Sequence, residues 1–233
     1  MLKELKEKVL EANLKLVEWN LVTLTWGNVS GISREDGLIV IKPSGVDYSK
    51  LRAKDLVVID LAGRIVEGKL RPSSDLPTHL ELYKAFPSIG GVAHTHSTYA
   101  TIFAQACKQI PCLGTTHADT FYGDIPVTRL LNKDEVSKNY ELNTGKVIVE
   151  RFKKLDPLSM PAVLVAGHAP FTWGKDALEA VENSLILENV AKMALFTFNL
   201  NAKVKPLANY ILDKHFKRKH GPNAYYGQKN RKE

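Results

Sequence analysis

Gly90-Gly91-Val92-Ala93-His94-Thr95-His96-Ser97 is the stretch that decides how the chain is understood. Two glycines lead into a short apolar run that ends in histidines at i and i+2. On a strand those side chains share one face, about 7 Å apart along the backbone, so both imidazoles could meet one ion. Ser97 then offers a helix N-cap to Thr98-Tyr99-Ala100-Thr101-Ile102-Phe103-Ala104. The spacing predicts histidines where a strand ends and a helix begins, a common place for sites in α/β proteins. Alone the pattern is weak, because half-buried strands often carry one polar residue per face.

Two other stretches strengthen it. Val163-Leu164-Val165-Ala166-Gly167-His168-Ala169-Pro170 is a second apolar run that ends in a histidine. Pro72-Ser73-Ser74-Asp75-Leu76-Pro77 puts a carboxylate before a helical pattern, although Asp75 could simply be the N-cap of that helix. Three imidazoles and a carboxylate suit Zn²⁺ or another borderline divalent ion.

Length and composition set the frame. The 233 residues, 44% hydrophobic, show no linker, repeat or compositional break, and predict one domain spanning 1–233. Cys107 and Cys112 suggest no disulfide framework. Met1-Leu2-Lys3-Glu4 is charged at once, and no apolar run is long enough to span a bilayer. The expectation is a soluble cytoplasmic protein that does not act at a membrane. The net charge of +7 is concentrated in residues 203–233, with nine Lys/Arg against two Asp/Glu, and the rest of the chain balances. Such a tail serves nucleic acid, a solvated helix or the attraction of an anionic substrate. No reader motif accompanies it, so no nucleic-acid partner is expected.

Hydrophobic periodicity gives the elements. Leu2, Leu5, Val9, Ala12, Leu16 and Trp19 mark an amphipathic helix over 2–19. Short strands are expected at 22–24 and 29–32, a clear one at 37–41, and a hairpin over 56–68. A helix follows from Leu76 to Phe86, then the His-Thr-His strand and its helix. Residues 115–126 read as polar loop and 145–154 as a short helix. The strand ending at His168 comes next, then a long helix from Asp176 to Leu200. Hairpins early and helices later predict an α/β fold, a mixed sheet with helices on both faces. Neither a dinucleotide fingerprint nor a phosphate-binding P-loop motif is present.

Gly27-Asn28, Ser44-Gly45 and Ser73-Ser74 are small polar stretches suited to holding a phosphate, with Lys42 adding charge. Taken singly each is a turn with a cap; together, beside Asp75, they favour a phosphate next to a metal. Asp119 is a candidate general acid/base or a loop cap, and Tyr226 a candidate proton donor or a packing residue. His215 is either a supporting donor or part of the basic tail, while His79 and His220 read as structural or solvated.

Thr25-Trp26-Gly27-Asn28, Lys42-Pro43-Ser44-Gly45, Pro72-Ser73-Ser74-Asp75, His94-Thr95-His96, Thr115-Thr116-His117-Ala118-Asp119, His168 and the C-terminal Lys219-His220-Gly221 and Tyr225-Tyr226-Gly227-Gln228 together resemble the L-ribulose-5-phosphate 4-epimerase family, a branch of the class II sugar-phosphate aldolases. The match covers nearly the whole chain. It implies an α/β/α sandwich with a mostly antiparallel sheet. It also implies metal ligands Asp75, His94, His96 and His168, holding one Zn²⁺, Mn²⁺ or Co²⁺ per subunit. Gly27, Asn28, Lys42, Ser44, Gly45, Ser73 and Ser74 would form the substrate and phosphate pocket, Asp119 and Tyr226 the acid/base pair, and Glu141 and His215 auxiliary polar groups. The resemblance further implies a homotetramer with sites shared between subunits, acting on a pentulose phosphate in arabinose, ascorbate or other pentose routes. The related aldolases carry Glu as a base where this chain has Asp75. The alternatives are a class II aldolase of fuculose- or rhamnulose-phosphate type, and a non-catalytic module similar to the adducin head.

Overall fold

A computed structural model of the chain describes residues 2–227. Seven strands form one sheet in the order β4-β3-β2-β1-β5-β7-β6: β1 Asn28–Ser33, β2 Leu38–Ile41, β3 Val57–Asp60, β4 Ile65–Glu67, β5 Gly91–His94, β6 Ala162–Leu164 and β7 Pro170–Gly174. Every pairing between them is antiparallel. The parallel contribution to the expected mixed sheet is an isolated bridge between Val127 and Leu164.

Alternation along the strands feeds two cores. Val29, Val40, Val58 and Ala93 face α1 (Leu2–Glu18) and the start of α6 (Ala177–Leu200), meeting Val9, Ala12, Leu16, Ala180 and Val181. The opposite residues Ile39, Ile41, Val57, Ile59, Val92, Phe171 and Trp173 face α2 (Leu76–Ala85) and α5 (Lys133–Arg151). The result is the expected three-layer α/β/α sandwich. Farther along, α6 packs on α3 (Thr98–Gln105) through Leu187, Val190 and Ala194. A Cβ on Gly90 would lie 1.9 Å from the Lys175 carbonyl oxygen, and one on Gly91 2.3 Å from the Asp176 carbonyl. The double glycine therefore lets the start of α6 lie directly on the strand that carries His94.

Several local expectations change. Residues 22–24 form no strand, and the chain turns at Leu24-Thr25, with Leu24 at φ +54°. Pro170–Gly174 is a full strand; proline is tolerated there because it is the first residue and the ladder needs no N–H from it. His168 thus sits in a hairpin turn between β6 and β7, not before a helix. Residues Thr115–Ala118 form a one-turn helix, α4, with Asp119 at its end. α5 is much longer than the segment expected at 145–154. It starts with a capping box between Asn132 and Glu135, and it breaks at Asn139. The basic tail contains α7, Asn209–His220, which packs on α4.

Candidate active site

Two adjoining connections converge on one centre. His94 is the last residue of β5, and His96 lies in the link to α3, so the two do not share a strand as expected. His168 comes from the β6–β7 turn. The ring centroids of the three pairs lie 4.9, 4.9 and 5.1 Å apart, and their donor atoms all fall within 4.8 Å of one another. The His94 Nδ1 donates to the Pro170 carbonyl at 2.9 Å, since a carbonyl can only accept, and the Nε2 lone pair is left free. Phe171 stacks on the same ring at 4.2 Å.

This donor set fits a divalent ion. Burial, reinforced by the neighbouring His94 ring, pushes His96 down to about 4; burial with His94 and His96 pushes His168 down to about 3. Both are therefore neutral imidazoles with lone pairs to give. The Nδ1 of His168 is buried without a hydrogen-bond partner, a situation that costs about 1–3 kcal/mol unless something meets it. Ser97 stands at the N-cap of α3 but makes no side-chain cap bond. Glu188 of α6 does that work, accepting from the Tyr99 and Ala100 amides at 2.9 and 3.0 Å, and so ties down the segment that carries His96.

Asp75 occupies the N-cap position of α2 without capping it. Its Oδ2 instead accepts from Asn28 Nδ2 at 2.6 Å. Burial alone would raise this carboxyl, but His94, His79, the Asn28 amide and His168 hold it below the usual range. Asp75 lines the same cavity as the histidines without joining their compact donor group. Behind it His79 is fully buried, with Nδ1 2.7 Å from Ser30 Oγ, which in turn lies 2.8 Å from the Tyr83 hydroxyl.

The cavity, about 520 Å³, is lined by the three histidines and Asp75 and, facing them, by Gly27, Asn28, Lys42, Ser44, Gly45, Ser73 and Ser74. The loops at 42–45 and 72–75 are brought side by side by an antiparallel bridge between Pro43 and Pro72. Ser73 N donates to the Lys42 carbonyl at 2.9 Å, and Ser44 N to that of Arg71 at 3.0 Å. Lys42 is 1% exposed, lies over the Tyr48 ring at 4.6 Å, and has no carboxylate within ion-pair reach among the described residues. Burial lowers its pKa. A buried cation with no carboxylate in direct contact, only the more distant Asp47, is suited to a ligand's negative charge. Gly27 adopts φ +74°, and a Cβ there would lie 2.8 Å from the His94 carbonyl oxygen, so only glycine passes between cradle and metal centre.

Asp119 and Tyr226 are not among the lining residues. Asp119 accepts from Arg218 Nε at 3.0 Å and Nη2 at 2.5 Å, with His215 Nδ1 at 3.0 Å, all from α7. Tyr226 is 61% exposed, and its ring lies under Arg218 at 4.9 Å and Lys219 at 4.5 Å. Gln228 falls outside the described residues. Glu141 does line the cavity, and so do Thr25, Trp26 and Tyr140, none of which the sequence assigned a role. Trp26 stands 6.0 Å from His96 and Tyr140 5.9 Å from His168. Tyr140 and Glu141 follow directly on the break in α5 at Asn139, which no local pattern announced.

Residues 7–195 match the family model for the class II aldolase and adducin N-terminal domain. The chain belongs to this family. Class II aldolases typically need a divalent metal and act on sugar phosphates, in keeping with three convergent histidines. An L-fuculose 1-phosphate aldolase of known structure is 28% identical, with a TM-score of 0.79 over 92% of this chain and 95% of the other. YgbL from Klebsiella pneumoniae, for which aldolase, epimerase and decarboxylase are all candidates, is 25% identical (TM-score 0.73, 92% and 98% covered). L-Fuculose-1-phosphate aldolase from Thermus thermophilus shares the fold at 23% identity and TM-score 0.67, with 87% and 98% covered.

Proposed function

We propose that this class II aldolase family member is a metal-dependent epimerase that interconverts L-ribulose 5-phosphate and D-xylulose 5-phosphate. The observation that carries this reading is the arrangement of the cavity: a three-histidine centre faces an anion cradle built on Lys42, buried and without a carboxylate in ion-pair contact among the described residues, with the short Asp75, not a glutamate, between them. His94, His96 and His168 would hold the ion, Zn²⁺ or else Mn²⁺ or Co²⁺, with Asp75 as a further ligand. When bound, the ion supplies Lewis-acid stabilisation of the charge that develops on the ketose oxygens.

The stereochemistry limits the route. Carbon 4 is not α to the carbon 2 ketone, so removing its proton gives no stabilised anion. Redox inversion would need a hydride carrier, and the sequence has no nicotinamide fingerprint. In this proposal the cleavage chemistry of the aldolase family applies: the bond between carbons 3 and 4 breaks, and re-forms on the other face of the aldehyde fragment. Lys42, Ser44, Gly45, Ser73 and Ser74 keep that fragment by its phosphate while it turns. Asn28 fixes the Asp75 carboxylate. Asp119 and Tyr226 exchange the proton of the carbon 4 oxygen. Neither lines the cavity of its own chain; in this proposal a neighbouring subunit of a homotetramer brings them to it.

The similarity to L-fuculose 1-phosphate aldolase favours a second reading, aldol cleavage with release of the fragments. Purified enzyme given L-ribulose 5-phosphate separates the two: an epimerase yields D-xylulose 5-phosphate, an aldolase free aldehyde. Turnover in D₂O should leave carbon 4 without deuterium; substantial label there would rule out the cleavage route. Mixing inactive His96→Asn subunits with inactive Tyr226→Phe subunits should restore part of the activity. No recovery in verified hybrids would remove the shared site.

A further inference from the structure

Arg218 and Lys219 both reach the two members of the candidate acid–base pair, and Arg218 does so with a bidentate fork on the carboxylate. Its fork closes on Asp119, with Nε at 3.0 Å and Nη2 at 2.5 Å, while its guanidinium carbon lies 4.9 Å from the ring centre of Tyr226. Its carbonyl accepts the Tyr225 and Tyr226 amides at 2.9 and 3.1 Å, so the main chain after α7 is folded back onto the same residue. His215, one helical turn earlier, reaches Asp119 alone of the pair. Lys219 lies 3.9 Å from Asp119 Oδ2 and 4.5 Å from the Tyr226 ring, as a point charge without a fork. His220 Nε2 donates to the Asp119 carbonyl at 2.9 Å, fixing the main chain but not the carboxylate. The spacing 215, 218, 219 puts these groups on one face of α7, toward α4.

We propose that Arg218 is the positioning residue that joins Asp119 and Tyr226 into one acid–base unit. Its two donors orient the carboxylate and keep it ionised, as a proton acceptor, and its planar cation seats the phenol ring beside it. Burial alone would raise the Asp119 carboxyl; Arg218, His215 and Lys219 together hold it below the usual range. Two acid–base groups that serve opposite faces of one carbon must keep a fixed separation, and a single rigid fork between them provides it. A lysine at 218 would keep the charge but neither the bidentate geometry nor the flat stacking surface.

This inference rests on the proposed roles of Asp119 and Tyr226, and the experiment separates the two claims. Epimerase kcat, KM, metal content and far-UV spectra are compared for Asp119→Asn, Tyr226→Phe, Arg218→Lys, Arg218→Met and the double variant Asp119→Asn/Arg218→Met. A positioning role predicts that Arg218→Met lowers kcat roughly 10²-fold, the lower end for general acid–base catalysis, with KM and metal content unchanged. Arg218→Lys falls in between, methylguanidine restores part of the Arg218→Met activity, and Arg218→Met adds little to the loss in Asp119→Asn. If Asp119→Asn and Tyr226→Phe are crippled while Arg218→Met works normally, or if the double variant is fully additive, the Arg218 inference falls and the acid–base reading stands. Wild-type kcat in Asp119→Asn and Tyr226→Phe overturns that reading instead. Should Arg218→Met not fold, Arg218→Lys with the Asp119→Asn/Arg218→Lys cycle gives the same decision.

Discussion

The metal cavity and the Asp119 cluster are built from different materials. The cavity stands on the sheet: His94 ends a strand whose other residues are buried, its ring is clamped by Phe171 and the Pro170 carbonyl, and Gly27 passes against its backbone. The Asp119 cluster joins a one-turn helix to α7 over a small apolar patch of Cys112, Ala118 and Leu212, and charged contacts place its functional groups. A large apolar core fixes positions on one side, while on the other a small apolar patch is supplemented by ionic contacts that salt and neighbours can reach. If the proposed function draws on both, one half of the site is rigid from folding and the other depends on how subunits dock.

The comparison breaks most sharply at His96. His96→Asn should cost more than the roughly 10–100-fold that follows loss of a group merely orienting a ligand, with metal content falling in parallel by elemental analysis. Full metal occupancy with normal turnover would take His96 out of the centre. Next comes Lys42→Met, which removes a charge from the rigid half. KM for the sugar phosphate should rise by about 10–100-fold, the worth of a charged hydrogen bond of about 1.5–3 kcal/mol. Thermal stability should hold or improve, because a buried charge with no carboxylate in contact among the described residues is gone. A lower Tm with unchanged KM would make Lys42 structural.

Gly27→Ala tests whether the rigid half rests on its backbone. The left-handed φ and the 2.8 Å approach to His94 should make the change cost about 1–3 kcal/mol, read as a lower Tm. A neutral result would mean that the strand ends can shift independently.

The pH response probes the buried histidines. Burial pushes His79 to about 3 and His117 to about 4, both below the ordinary 6.5. The unfolded chain therefore binds more protons in this window, and the stability these groups contribute is complete above pH 6.5 and lost as pH falls toward 4. Metal-free protein should lose up to ~1.4 kcal/mol per pH unit for each such group there. His117→Asn should flatten that slope; an unchanged slope would clear His117.

The smallest effect is reserved for salt. At 1 M NaCl, with a Debye length of about 3 Å, amide protection in α7 should fall by a few-fold while that of β5 and α2 stays put. Equal loss in both regions would dissolve the contrast between them.

The same contrast explains what the sequence disclosed. His94, His96, His168 and the Ser44 and Ser73-Ser74 turns each sit in a short local pattern, an apolar run or small-residue turn with one polar exception. The structure places all of them around one cavity. β7 was hidden because Pro170 and the preceding Gly-His turn look like loop, although its interior alternates like any strand. Tyr140 was hidden because α5 is polar around most of its length and its break at Asn139 leaves no periodic signal. The grip of α7 on Asp119 joins residues 96 to 101 positions apart, and no window of sequence contains both partners. The Glu188 cap on α3 escaped for the same reason, while Ser97, the local candidate, took the N-cap position without the bond.

The bond between His94 and Pro170 also sets a timetable. It spans 76 residues, and β7 is the neighbour that β5 lacks until those residues exist. At ~5–20 residues per second, a chain under synthesis waits roughly 4–15 s between making His94 and making its partner. The hairpins β1–β2 and β3–β4 can close meanwhile, since their strands are near neighbours in sequence. The metal centre is therefore among the last parts of the sheet to mature, and an ion captured by the nascent histidines would meet only two of the three.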